Sequence, residues 1–85
     1  MTQFDKKTVF VSGATRGIGA SIAQLFIKEG ATVYGSATTA TDAQQLGLAG
    51  MFAADFTQRE EIDGCAEFIR SIKPDILINN AGINN

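Results

Sequence analysis

The stretch Ser12-Gly13-Ala14-Thr15-Arg16-Gly17-Ile18-Gly19, running directly out of Thr8-Val9-Phe10-Val11, decides the fold. The four leading residues are β-branched or aromatic and read as a short buried strand. The eight that follow place glycines at 13, 17 and 19 in a G-x-x-x-G-x-G pattern. Beyond them Ile18, Ile22, Leu25 and Phe26 recur at helical spacing, which predicts an apolar stripe facing one side of a sheet. Gly30 is expected to close this helix, with Lys28 in its last turn. A strand, a glycine turn and a helix mouth in that order suit a diphosphate. Backbone N–H groups and the positive end of the helix dipole converge on one place, and glycine lets the ligand approach without a Cβ in the way.

The rest of the chain repeats the alternation. Thr32 to Ser36 reads as a second strand, 41–46 as a short, poorly marked helix ending near Gly47, and Met51 to Ala54 as a weak third strand. Thr57-Gln58-Arg59-Glu60 predicts a capping box, with Thr57 as N-cap and Glu60 at N3. The helix behind it is expected to present Ile62, Cys65, Ala66, Ile69 and Ile72 on one face and to stop before Pro74. Asp75 to Ile78 is a fourth strand, apolar after its first residue, as suits a strand covered on both faces. The order βαβαβαβ predicts an α/β chain, a Rossmann-like half of a doubly wound parallel sheet with right-handed crossovers. Residues 1–85 are read as the N-terminal part of one such nucleotide-binding domain. A sheet of four strands ending on an apolar one has an uncovered edge, so the chain is expected to be cut from a longer protein.

Composition narrows the function. The 85 residues carry a net charge of −2, which offers no basic surface for nucleic acid or an anionic membrane. Histidine is absent, which removes His-based triads and most zinc sites. The single cysteine cannot form an internal disulfide. With no apolar run approaching a membrane span and no signal peptide, a soluble, cytoplasmic protein is expected.

Four further segments bear on a ligand. Arg16 lies in the glycine loop, where a guanidinium can pair with phosphate. The end of the second strand reads Tyr34-Gly35-Ser36-Ala37-Thr38-Thr39, and the nearest acid is Asp42. A carboxylate there would bind the ribose hydroxyls of NAD and repel a 2′-phosphate, so these hydroxyl residues, with Arg16, favour NADP(H). Asp55 and Phe56 follow the third strand on the ligand side of the sheet; the carboxylate can accept from an adenine amino group beside the Phe56 backbone. Asn79-Asn80-Ala81-Gly82 ends the fourth strand, with two buried amides able to tie neighbouring strands and a glycine that admits a sugar. Taken alone that segment reads rather as a turn, because Asn and Gly are common turn residues. Cys65 reads as helix packing. Tyr34 reads as structural, with Thr38 where a lysine partner would stand. A methyltransferase would want an acid at the end of the second strand, and a P-loop kinase a Gly-Lys-Ser/Thr, which the first loop lacks.

Together, S-G-A-T-R-G-I-G at Ser12 to Gly19, Asp55, and N-N-A-G at Asn79 to Gly82 resemble the classical short-chain dehydrogenase/reductase family, over essentially the whole chain. Within it the segment V-Y-G-S-A-T-T looks most like bacterial 3-oxoacyl-acyl-carrier-protein reductases of fatty acid synthesis. The resemblance implies that Gly13, Ala14, Thr15, Arg16 and Ile18 line the phosphates and ribose beside Gly17 and Gly19. It places Arg16 and Thr38 at the 2′-phosphate, Asp55 and Phe56 at the adenine, and Asn80, Ala81 and Gly82 at a cofactor ribose. It also implies an acyl-carrier-protein-linked substrate and a homo-tetramer for a complete enzyme. The family's catalytic Asn, Ser, Tyr and Lys all lie downstream of N-N-A-G, so these 85 residues hold no catalytic group and alone are expected to be inactive. Two readings stay open: part of an NADPH-dependent 3-oxoacyl thioester reductase, or a non-catalytic nucleotide-binding or folding module of a dehydrogenase acting on another carbonyl or alcohol.

Overall fold

The structure, a computed structural model, describes residues 4–14, 17–37, 46–53 and 58–79. Its elements run β1 (Thr8–Val11), α1 (Gly17–Lys28), β2 (Thr32–Ala37), β3 (Gly50–Ala53), α2 (Arg59–Ile72) and β4 (Ile76–Ile78). The predicted helix over 41–46 lies outside the described residues except for Leu46.

All four strands are parallel, in the order β3-β2-β1-β4. Val9 and Phe10 of β1 stand beside Val33 and Tyr34 on one flank and beside Ile76 and Leu77 on the other. The chain therefore walks outward from β1 through β2 to β3, then crosses back to lay β4 on the opposite side of β1. That reversal is the switch point of a doubly wound sheet, and ligands of such sheets bind beyond the carboxyl ends of the strands there. The seam between β1 and β4 is pinned at its start by Asp75, whose Oδ2 accepts from the Thr8 N–H at 2.8 Å while its own N–H donates to the Thr8 carbonyl at 2.7 Å.

Alternation along the strands sorts the side chains onto two faces. On one, Val9, Val11 and Val33 form the buried core with Ala14, Ala23 and Leu48, and α1 covers it. On the other, Phe10, Tyr34 and Phe52 meet Phe68 of α2, with ring centroids 6.1, 5.9 and 5.6 Å away. The first two pairs are edge-to-face, the arrangement that ring quadrupoles favour.

Helix α1 packs by a different stripe from the predicted one. Ile18 and Leu25 point outward, 72% and 58% exposed, whereas Gly19 and Ala23 are buried and Ile22, Phe26 and Ile27 are half-buried against the core. Residues 19, 22, 23, 26 and 27 have the right helical spacing, rotated by one position. The two small residues let the helix lie close on the sheet, and closeness turns the larger Ile18 and Leu25 away. The helix ends as expected. The Gly30 N–H donates to the Ile27 carbonyl and the Ala31 N–H to the Phe26 carbonyl, both at 3.0 Å, with Gly30 at φ 95°. This is a Schellman motif.

Helix α2 starts one residue later than predicted. Gln58, with extended backbone and no side-chain cap hydrogen bond, holds the N-cap position, so Glu61 rather than Glu60 stands at N3. Thr57 lies outside the described residues. Both glutamates still face the positive end of the dipole. Of the predicted face, Cys65 is buried and Ala66, Ile69 and Ile72 are half-buried, but Ile62 is exposed and Phe68 carries the central contact instead. At the other end Lys73 turns left-handed, its N–H closing the last bond to the Ile69 carbonyl at 3.1 Å before Pro74, which has no N–H to give.

Candidate cofactor-binding site

Three carboxyl ends of strands meet around the glycine turn. Val11 of β1 leads into Ser12, whose N–H donates to the Ile78 carbonyl at 3.0 Å and whose Oγ lies 3.3 Å from Asn79 Oδ1. The end of β1 is thus tied to the end of β4 across the switch point. Asn79 does the tying from an exposed position, not as the buried amide its sequence suggested.

On the other flank the turn is tied to β2. The Gly13 N–H donates to Ser36 Oγ at 3.3 Å, and the Ala14 N–H to the Ser36 carbonyl at 2.9 Å. Ser36 is fully buried. Gly35 makes the approach possible: a Cβ there would fall 2.5 Å from the Ala14 Cβ, closer than atoms can pack, and a tight 3.2 Å from the Val11 carbonyl oxygen. Gly13 and Gly17 take φ of 64° and 62°, the left-handed backbone that glycine adopts freely.

The turn delivers the chain to the first residue of α1. Gly17, Ile18 and Gly19 occupy the opening turn of that helix, whose geometry supplies no acceptors for their N–H groups. Among the described residues no heavy atom lies within 4 Å of a Cβ built on Gly17. Ile18, largely exposed, flanks the same mouth. The arrangement can cradle an anion with helix N–H groups and close backbone contact.

The family model for short chain dehydrogenase matches residues 7–85. The chain belongs to that family. It is 42% identical over 84 residues to the 3-oxoacyl-acyl-carrier-protein reductase FabG of Vibrio harveyi, an alignment taking in 91% of this chain and 34% of that protein. Among solved structures, hydroxysteroid dehydrogenase from Escherichia coli superposes with a TM-score of 0.72 at 35% identity, covering 92% of this chain and 37% of that one. L-sorbose reductase from Gluconobacter frateurii, complexed with NADPH and L-sorbose, gives a TM-score of 0.76 at 30% identity, covering 99% and 36%. The chain therefore spans about a third of the length of the curated relatives it matches.

Of the residues expected at the cofactor, Gly13, Ala14, Gly17, Ile18 and Gly19 are described, and the fold brings them together between β1 and α1. Thr15, Arg16, Thr38, Asp55, Phe56, Asn80, Ala81 and Gly82 lie outside the described residues. Two residues that shape the turn went unread in the sequence, Gly35 and the buried Ser36. A glycine inside a strand is the available signal, since it often marks close approach of another backbone segment. Cys65 sits apart, on α2. Burial pushes its thiol pKa up by desolvation, which keeps it protonated and unreactive. Among the described residues no helix is long and apolar enough to cross a membrane.

Proposed function

We propose that this chain provides the dinucleotide seat of an oxidoreductase that passes hydride from NADPH to a 3-oxoacyl thioester, yielding the 3-hydroxyacyl form, in fatty acid synthesis. The observation that supports this most is the glycine turn braced between β2 and β4 at the switch point, opening onto the first turn of α1. In this reading the N–H groups of Gly17, Ile18 and Gly19 meet the diphosphate, with Gly13, Ala14 and Thr15 lining the phosphates and ribose. Arg16 and Thr38 hold the 2′-phosphate, Asp55 and Phe56 the adenine, and Asn80, Ala81 and Gly82 a ribose. The dinucleotide supplies the hydride, and the chain's own residues bind and orient it. Residues 1–85 form the N-terminal part of one nucleotide-binding domain, in a cytoplasmic homo-tetramer whose acyl substrate is carried on acyl carrier protein. Similarity to 3-oxoacyl-acyl-carrier-protein reductase supports the thioester as substrate.

A second reading keeps the cofactor and changes the carbonyl. The hydroxysteroid dehydrogenase and L-sorbose reductase among the structural neighbours favour it, because both share the matched region.

Fluorescence titration with NADPH and NADH tests the cofactor assignment. NADPH is expected to bind more tightly, and Arg16→Glu to remove most of that preference. An affinity ratio unchanged in the variant would refute the role given to Arg16. The 85-residue chain by itself is expected to show no NADPH oxidation with acetoacetyl thioesters, and measurable turnover by a mass-verified preparation would overturn that.

A further inference from the structure

We infer that Ser36 is a positioning residue for the dinucleotide, a strut beneath the glycine turn and not one of the hydroxyls that reach a 2′-phosphate. The inference rests on the cofactor reading above and deepens it. A serine near the end of β2, two residues before Thr38, invites assignment to the phosphate-reading group. The geometry points elsewhere. Ser36 is completely buried, and both of its acceptor groups face the turn: Oγ takes the Gly13 N–H at 3.3 Å and the carbonyl takes the Ala14 N–H at 2.9 Å. Its neighbour Gly35 removes the one Cβ that would hold the turn off the strand.

Two consequences follow for the ligand. First, the Gly13 and Ala14 N–H groups already have acceptors on β2, so the turn's amides are divided. Those of residues 13 and 14 fasten the turn, and those at the opening of α1 have no acceptor within the helix. Second, Ser36 acts on every dinucleotide alike, because what it fixes is the seat of the diphosphate common to NAD and NADP. A residue touching the 2′-phosphate would discriminate between them.

The test uses the 85-residue chain and its Ser36→Ala and Ser36→Thr variants, with two readouts. By amide hydrogen exchange without ligand, Gly13 and Ala14 are expected to be protected in the parent chain. Gly13 is expected to exchange at least several-fold faster in Ser36→Ala, while Phe10 and Val33 hold their rates. By titration, Ser36→Ala is expected to weaken NADPH and NADH by the same factor, about tenfold, as one lost hydrogen bond of ordinary strength carries. Ser36→Thr, which keeps the hydroxyl, is expected to recover most of the loss. Loss confined to NADPH, or Gly13 and Ala14 amides in the parent chain exchanging as fast as those of an unstructured peptide, would overturn the inference. The exchange measurement on the parent chain needs neither a folded variant nor a ligand. If the parent chain binds neither dinucleotide, the cofactor reading fails, and exchange at Gly13 and Ala14 still decides the strut.

Discussion

Gly35 and Ser36 sit side by side on β2 and serve the same turn in opposite ways, one by lacking atoms and the other by supplying acceptors. Replacing Gly35 with alanine places a methyl group where Ala14 and the Val11 carbonyl already are. Overpacking of this kind costs about 1–3 kcal/mol. Gly35→Ala is therefore expected to lower the unfolding free energy by that margin, read as a lower urea midpoint, and to weaken dinucleotide binding, since the turn must lift to admit the Cβ. A wild-type midpoint and affinity would show that the turn has slack. Cys65 gives a second residue-scale expectation. Its folded-state thiol pKa is raised, so its contribution to stability is fully present below the ordinary thiol value of about 8.5 and is lost as pH rises beyond it, when the unfolded chain gains thiolate. Melting curves from neutral to alkaline pH should fall less steeply for Cys65→Ala than for the parent. Parallel pH profiles would remove desolvation of the thiol as a cause.

At the scale of elements, one aromatic side chain of α2 carries its central contact with the sheet. Phe68 touches Phe10, Tyr34 and Phe52, one ring on each of three strands. Phe68→Ala is expected to cost about 2–3 kcal/mol, below the range for a fully buried phenylalanine because the ring is half-buried. Ile62→Ala, at a 44% exposed site on the same helix, should cost under about 1 kcal/mol. Chemical denaturation of both variants checks the ranking, and a larger loss at Ile62 would restore the packing face read from periodicity. The same contrast explains what was legible in advance. The strands, their parallel alternation and both helix ends could be read because β-branched runs, a C-terminal glycine and Pro74 act locally. The angular setting of α1 could not. Gly19 and Ala23 carry almost no hydrophobic signal, yet their smallness decides which side faces the sheet. The site divides in the same way. The glycine turn announces itself within eight residues, whereas its anchorage on Ser36 joins positions 23 apart in the chain, and no local pattern encodes that meeting.

For the whole molecule, size sets the sensitivity. A chain of 85 residues has a small core and a narrow margin of stability. A ligand that binds only the folded form then has a large visible effect. At a hundred times its dissociation constant it adds about 2.7 kcal/mol, which for a domain of this length raises the melting temperature by on the order of 10 °C. Saturating NADPH is expected to produce such a shift and NADH, at equal concentration, a smaller one. Differential scanning fluorimetry reads both, and equal shifts would count against the 2′-phosphate contacts proposed for Arg16 and Thr38.

The bond between the Thr8 N–H and Asp75 joins residues 67 apart, and every β1–β4 contact shares that separation or nearly so. During synthesis the first strand emerges early and waits. Its partners on the β2 flank are available within a few dozen residues, but the β4 flank cannot zip until the ribosome has released positions 76–79. Long-range pairings of this kind are slow to close. The nascent chain is thus expected to mature asymmetrically, the brace on Ser36 setting before the seam through Ser12, so that competence to hold a nucleotide arrives last.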